Sequence, residues 1–360
     1  MNITDEYDHL APKLIGKKEG TFAYFTVRDR WPKIVTSLVD QLARRRAELI
    51  EQYGSPNDTE ELTYFKGPWL FVECFLYRYI YSAFNITNHL GQMDYFEESK
   101  KKNFMDHLPQ IEESAAFLMK ISAKDAPVHE LFGINTILKS SLWGNRADMS
   151  LTGGDDHTMK MSSIAASSKL ADFVLIDDVN ELICKVLGPL QINEKKLKNR
   201  RVDIVLDNAG VELAGDLVLA EFLLARGFAD KVIVHGKAIP WFVSDTTEND
   251  FNWVVDQLKE AGPESTKFGE QLKKRIENME IIFKCDLFWI SPHPYYIMEK
   301  EAPELFEELT TSSLLIFKGD LNYRKLVGDR DWDLDTSFKT ACRGFAPCPF
   351  FANSTKTTRG

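Results

Sequence analysis

The chain has 360 residues, with 44 Lys plus Arg against 54 Asp plus Glu, a formal charge of −10. With 44% hydrophobic, 12% aromatic and 27% charged residues it can bury a sizeable core, which excludes collagen-like and wholly disordered chains. The acidic balance argues against sequence-independent nucleic-acid binding, and apolar runs such as Phe173–Ile176 and Leu314–Phe317 fall far short of the ~18–20 residues of a membrane span.

The first residues, Met1-Asn2-Ile3-Thr4-Asp5-Glu6, carry an early acidic pair and no apolar stretch, so no secretory leader is expected. Trp31-Pro32 opens an amphipathic helix with Ile34, Leu38, Leu42 and Leu49 on its apolar side and Pro32 in its first turn. Leu62 to Phe84 is dense in aromatics and reads as a buried helix. Lys100 to Lys120 and Pro127 to Leu142 read as two more. Residues 1–150 are therefore expected to form a helical N-terminal lobe. Turn and loop residues between Trp143 and Lys169, including Gly153-Gly154-Asp155-Asp156, mark a boundary.

Beyond it, strands and helices alternate. Phe173–Ile176 is either a short strand or the start of a helix running through Leu182 to Leu187. Val202–Leu206 is a β-branched strand, Leu213–Ala225 a helix and Lys231–His235 a second strand. Phe251–Leu258 is helical, Phe283 and Phe288 flank a short strand, and Glu304–Leu309 is a helix. Leu314–Lys318 is a further strand. This alternation predicts an α/β fold, three layers with a mainly parallel sheet, over 151–352, followed by an atypical tail over 353–360.

Five scattered cysteines, Cys74, Cys184, Cys285, Cys342 and Cys348, show no C-x-x-C spacing. They read as free thiols of a reducing compartment, the cytosol or also the nucleus.

Ligands of open parallel sheets bind outside the carboxyl ends of the strands. Asp207-Asn208 follow the first strand, Asp245 comes after the second, and Asp320 to Lys325 follow the last. Two carboxylates and an amide carbonyl form a hard oxygen set suited to Mg²⁺ or Mn²⁺. The alternative for Asp207, Asn208 and Asp245 is helix capping. Arg324 and Lys325 offer charge for a phosphate, or form a solvated surface pair. His235 and His293 read as structural. Gly153-Gly154 lacks the Lys-Ser/Thr of a nucleotide loop, and Asp155-Asp156-His157 reads as an exposed acidic turn.

The runs Asp207-Asn208-Ala209-Gly210-Val211-Glu212, Ile239-Pro240-Trp241-Phe242-Val243-Ser244-Asp245-Thr246-Thr247 and Phe317-Lys318-Gly319-Asp320-Leu321-Asn322-Tyr323-Arg324-Lys325-Leu326, with Ser141-Leu142-Trp143-Gly144-Asn145 upstream, resemble the metal-dependent damage-control phosphatases. The resemblance is strongest to their subfamily III, sugar-phosphate phosphatases also described as acidic-residue protein methyltransferases. It runs from about Leu10 to about Pro349. It implies a helical lobe on a three-layer α/β/α domain. Asp207, Asn208 and Asp245 match the metal ligands, with Mn²⁺, Co²⁺, Ni²⁺ or Mg²⁺ as cofactor. Glu212 and Asp320, Leu321, Asn322, Tyr323 and Arg324 match substrate-contacting positions. Fructose 1-phosphate and fructose 6-phosphate are the implied substrates. Oligomeric state stays open.

The end of the chain departs from that pattern. Relatives carry Arg-Thr-x-Lys after the Pro-rich segment, its lysine on the substrate phosphate, and then a further strand. A one-residue deletion brings Asn353-Ser354-Thr355-Lys356 onto the motif with the arginine lost; without it Lys356 is out of register. The last strand is expected to be missing, as in a truncated gene model or a variant transcript. Two rival functions follow. One is methyl transfer from S-adenosylmethionine to protein carboxylates, although Asp207-Asn208-Ala209-Gly210 has a single glycine where such enzymes carry a Gly-rich loop. The other is a catalytically impaired binding protein. The lack of a second acid at the Asp-x-Asp position favours direct attack by water over an aspartyl-phosphate route.

Overall fold

The computed structural model describes residues 14–15, 17–36, 68–86, 90–122, 130–144, 174–192 and 200–354. Helix α1 (Phe22–Phe25) runs through a π-helical turn, Thr26–Arg30, into residues 31–36. Helices α2 (Trp69–Asn85), α3 (Glu97–Asp106), α4 (Leu108–Ser122) and α5 (Glu130–Gly144) follow. Helix α6 (Val179–Leu182) continues through a second π-turn, Ile183–Leu187. Then come β1 (Arg201–Val205), α7 (Val211–Ala225), β2 (Lys231–Gly236), α8 (Glu248–Gln257), α9 (Pro263–Glu277) and β3 (Ile281–Cys285). The chain closes with α10 (Met298–Glu301), α11 (Pro303–Thr310), β4 (Leu314–Lys318), α12 (Gly319–Val327), α13 (Phe338–Ala341) and β5 (Phe350–Asn353). Among the described residues no helix is long and apolar enough to cross a membrane.

The sheet has the order β3-β2-β1-β4-β5 and every pairing is parallel. Its central strands are buried on both faces, which is why they read as largely apolar runs, rich in Val and Ile in β1 and β2 and in Leu, Ile and Phe in β4. Alternate residues go to opposite cores. Val202, Ile204, Leu314 and Ile316 join one core with α4, α5, α7 and α9. Val205, Leu315 and Phe317 join the other with Tyr295, Met298 and Leu309. This is the expected three-layer α/β fold. A third cluster packs α1 and α2 against Ile239, Trp241, Phe242, Val243 and Leu321. It lies at the carboxyl edge of the sheet, so the aromatic helices read from the sequence cover the loops that carry the polar residues.

Several boundaries differ from the sequence reading. The helical run that opens with α1 at Phe22 continues to residue 36, so Pro32 lies inside that run; the widened turn just before Pro32, closed by Trp31 N donating to Thr26 O, accommodates the missing N–H. The 100–120 helix breaks at His107, giving α3 and α4. Residues 174–178 are irregular and Leu175 and Ile176 are exposed, so the strand alternative fails and the helix begins at Val179. Strand β3 begins at Ile281, ahead of Phe283. Helix α9, opened by Pro263 at its first turn, is absent from the sequence reading, as is edge strand β5, which reaches into the stretch taken as tail. Residues 37–67, 145–173 and 355–360, including Lys356, lie outside the described residues.

Candidate functional site

Strand β1 delivers the first loop. Leu206 N donates to His235 O at 2.9 Å, so the pairing with β2 continues one residue past the strand. Asp207 and Asn208 then meet the loop after β2. Asn208 and Asp245 form an antiparallel bridge, Ala209 N donates to Ser244 O at 2.7 Å and Thr246 N to Asp207 O at 2.9 Å. These bonds zip the two loops together and bring the three oxygen-bearing residues to one place. The second loop is held under backbone strain: Phe242 and Val243 have φ of 44° and 74°. Positive φ is costly for any residue with a Cβ, above all a β-branched one, and persists where surrounding packing enforces it. Here Tyr77 of α2 stacks on Phe242, centroids 4.7 Å apart.

The capping alternative fails. The N-cap of α7 is Gly210, with no side-chain cap bond, and α8 is capped by Thr247 with Asp250 in a reciprocal capping box. Asp207, Asn208 and Asp245 are all buried, and none of them caps a helix.

Asn208 is oriented from two sides. Its Nδ2 donates to Asp207 Oδ2 at 2.9 Å and to Glu212 Oε2 at 2.8 Å. With both amide protons committed, its carbonyl oxygen is the atom on offer to a cation. Behind it, Lys318 at the end of β4 donates to Glu212 Oε1 at 2.9 Å, Asp216 Oδ1 at 2.7 Å and Ser141 O at 3.2 Å. Burial alone would lower the Lys318 ammonium, but Asp216 and Glu212 outweigh it and hold it well above its ordinary value. Burial pushes the Glu212 carboxyl up despite Lys318. Asp245 Oδ2 lies 3.2 Å from Lys237 Nζ, an ion pair buried beside the strand ends.

Asp207, Asn208, Asp245, Asp320, Leu321 and Arg324 line one narrow cleft together with Phe22, Arg30, Trp69, Glu73 and Phe242. Its volume of about 20 Å³ is room for one water. Glu212 lies beneath it, bonded to Asn208 and Lys318. Arg324 stands in the wall with its guanidinium engaged: Nε and one terminal nitrogen reach Asp329 at 2.7 and 3.1 Å, the other reaches Glu73 at 2.7 Å, and the plane lies 3.8 Å over Trp69. Asn322 is turned inward. Its Nδ2 donates to the carbonyls of Lys318, Val205 and Leu206, and its Oδ1 accepts from Tyr295, which ties α12 to the end of β1. Tyr323 is half-buried on the far side, stacked on Phe338. Lys325 is buried away from the cleft, donating to Phe288 O and Trp289 O, and burial pushes it down to about 7.

The sequence reading missed Arg30, Trp69 and Glu73, which reach the cleft from helices distant in sequence. It also missed Lys237 and Lys318, whose positions at the carboxyl ends of parallel strands were the available signal. Among the described residues no group of three or more His, Cys, Asp or Glu side chains forms a ready cation site. The donor set here is two carboxylates and an amide oxygen, a composition that fits a hard divalent cation.

Fold and site together define an open α/β protein in which loops from neighbouring parallel strands converge on one polar cleft. The sequence comparisons make the class specific. Residues 26–358 match the damage-control phosphatase ARMT1-like domain, and the chain belongs to that family. It is 35% identical to damage-control phosphatase ARMT1 of Mus musculus, over 93% of this chain and 88% of that one. It is 34% identical to the proteins of that name in Homo sapiens (93% and 88% covered) and Xenopus laevis (92% and 87% covered). A DUF89 family protein from Pyrococcus horikoshii superposes with a TM-score of 0.46 at 17% identity, covering 86% of each chain.

Proposed function

We propose that this protein hydrolyses phosphate monoesters of small sugars, of the fructose 1-phosphate or fructose 6-phosphate type, with a divalent cation held by Asp207, Asn208 and Asp245. The observation that carries the reading is the bridge between Asn208 and Asp245, which joins two strand-end loops into one oxygen donor set with no capping duty. Asp207, Asn208 and Asp245 would hold a cation of the Mn²⁺ or Mg²⁺ type, which would supply positive charge to the phosphoryl group and its leaving oxygen. Membership of the damage-control phosphatase family supports the reaction class.

The chain's own residues do the rest. Asp207 and Asp245 supply negative charge to the cleft, and Asn208 presents its carbonyl oxygen because Asp207 and Glu212 hold its amide nitrogen. Leu321 and Phe242 give the cleft apolar walls that exclude bulk water. Arg324 contributes positive charge to the wall. Lys356 is a further candidate contact to the phosphate, as is Asp320 to a sugar hydroxyl.

The test is phosphate release from fructose 1-phosphate with added Mn²⁺, with and without EDTA, using Asp207→Ala as control. Release that requires the cation and is lost in the variant supports the reading. Release unaffected by EDTA, or retained in Asp207→Ala, rules out this site.

A further inference from the structure

Helix α3 sends two side chains to the two loops that carry the oxygen set. Residues three apart on a helix are neighbours on one face. Lys100 and Asn103 stand at that spacing, and each is only 2% exposed. Lys100 Nζ donates to the main-chain oxygen of Asp245 at 3.4 Å and to Asp250 Oδ2 at 2.5 Å, and it pairs with Asp94 Oδ2 at 2.5 Å. The same Asp250 oxygen accepts from Thr247 N at 2.9 Å, so one buried ammonium ties the Asp245 carbonyl to the cap of α8. Asn103 Oδ1 accepts from Val211 N at 3.1 Å, at the first residue of α7. Just before it, Gly210 has φ of +72°, and a Cβ built there would lie 2.3 Å from Asn103 Oδ1. The loop after β1 therefore passes α3 at a distance that glycine allows and a larger residue does not.

We infer that Lys100 and Asn103 are positioning residues, which hold the loops after β1 and β2 at the relative placement that brings Asp207, Asn208 and Asp245 into one site; their bearing on cation binding rests on the reading above. Two observations carry it. One helix grips both loops, Asn103 at the end of the first and Lys100 at Asp245 and Asp250 of the second. The bonds that zip the loops, Ala209 N to Ser244 O and Thr246 N to Asp207 O, lie between those two grips and form only while both loops keep their places. Helix α3 is itself fixed to α8, with Phe104 edge-on to Trp253 at 5.3 Å.

The experiment reads hydrogen exchange over residues 206–211 and 243–247 of the full chain without added metal, with Mn²⁺ affinity by calorimetry and urea stability measured alongside. The variants are Lys100→Met, Asn103→Leu, which removes the acceptor, and Asn103→Asp, which keeps it. Glu112→Ala is the control: Glu112 of α4 accepts from Glu264 N and Ser265 N at 3.0 and 2.9 Å, a clamp of the same kind at the start of α9. In Lys100→Met and Asn103→Leu, exchange in both loops should rise about tenfold or more and Mn²⁺ affinity should fall about 10–100-fold. Asn103→Asp should stay near wild type, and Glu112→Ala should lose stability alone. Asn103→Leu keeps the test open should Lys100→Met, which strips Asp94 and Asp250 of their counter-charge, fold poorly. Wild-type exchange in a folded Asn103→Leu variant overturns the inference. So does equal loosening of the loops in Glu112→Ala, or Mn²⁺ affinity that survives the loosening. A wild type that binds no Mn²⁺ sinks the cation reading, and the exchange comparison then decides by itself whether α3 holds the loops.

Discussion

Lys318 Nζ lies 2.9 Å from Glu212 Oε1, and the other oxygen of Glu212 receives the 2.8 Å bond from Asn208 Nδ2. The end of β4 therefore reaches the loop after β1 through a single carboxylate. All three ammonium protons of Lys318 are used, on Glu212, Asp216 and Ser141 O. Glu212 is held as the group that fixes an amide, beneath the cleft.

Replacing Lys318 by Met should separate this support from general packing. The substitution keeps the volume and leaves Glu212 and Asp216 buried without a counter-charge, a change that costs roughly 3–5 kcal/mol. Urea denaturation should show that loss. Glu212→Ala should be milder in stability and should weaken Mn²⁺ binding about 10–100-fold, the usual cost of removing the partner that orients a metal ligand. Unchanged Mn²⁺ affinity in a folded Glu212→Ala variant would show that the amide holds its orientation without it.

Gly319 makes a second prediction at the same turn. Its φ is +80°, and a Cβ built there would sit 1.9 Å from Asp207 Oδ2. Gly319→Ala must therefore displace the Asp207 carboxylate as well as strain the backbone, the latter by about 1–2 kcal/mol. We expect cation binding and phosphate release to fall much further than that stability loss accounts for. Equal losses in both would mean that the Asp207 side chain adapts without consequence.

What could be read from the sequence follows from what is local. Strands β1, β2 and β4 are short, largely apolar runs buried on both faces, β-branched in β1 and β2 and Leu-Leu-Ile-Phe in β4, and such runs advertise a central strand. The placement of Asp207 and Asp245 followed from the rule that strand ends face the ligand. The pairing of Glu73 with Arg324 spans 251 positions, and no local pattern reports such a contact. Arg30 was hidden because Trp31-Pro32 looks like a helix start, whereas the π-turn carries the helix through it. Asn322 and Tyr323 sit in a run rich in polar groups, but a helix turns successive residues by about 100°. Hence Asp320 and Arg324 line the cleft while Asn322 and Tyr323 face the interior and the opposite side.

Tyr77 tests whether the aromatic helices hold the strained loop. Its ring stacks on Phe242 and lies 5.9 Å from Trp241, next to the positive φ values at Phe242 and Val243. Tyr77→Ala should cost about 3–5 kcal/mol as a large-to-small core change. It should also weaken Mn²⁺ binding, because Asp245 is two residues from Val243. Leu309→Ala, in a core on one face of the sheet and away from that loop, is the control, expected to cost about 2–5 kcal/mol with Mn²⁺ affinity unchanged. Equal effects of the two substitutions on Mn²⁺ affinity would show that the Tyr77 contact has no special bearing on the loop.

Asp203 predicts a pH dependence that belongs to the fold rather than to the cleft. It lies within β1, fully buried, with His235 Nε2 at 2.7 Å, Arg201 Nε at 2.7 Å and a hydrogen bond from Ser312. Burial alone would raise its pKa, but the bonds from His235 and Arg201 outweigh that and hold it below the ordinary 3.8. A carboxyl with a depressed pKa binds fewer protons folded than unfolded, so its stabilising contribution is present above the unfolded value and is lost as pH falls through the folded one. Asp203→Asn should therefore lower stability by about 3 kcal/mol near neutral pH, as expected for breaking a buried ionic cluster. The gap between variant and wild type should hold steady from pH 7 to about 5 and narrow below about 4, where unfolded aspartate begins to take up its proton. Urea denaturation at pH 7, 5 and 3 measures it. A gap of the same size at all three values would show that the charge of Asp203 contributes nothing and that its hydrogen-bonding shape alone stabilises the strand.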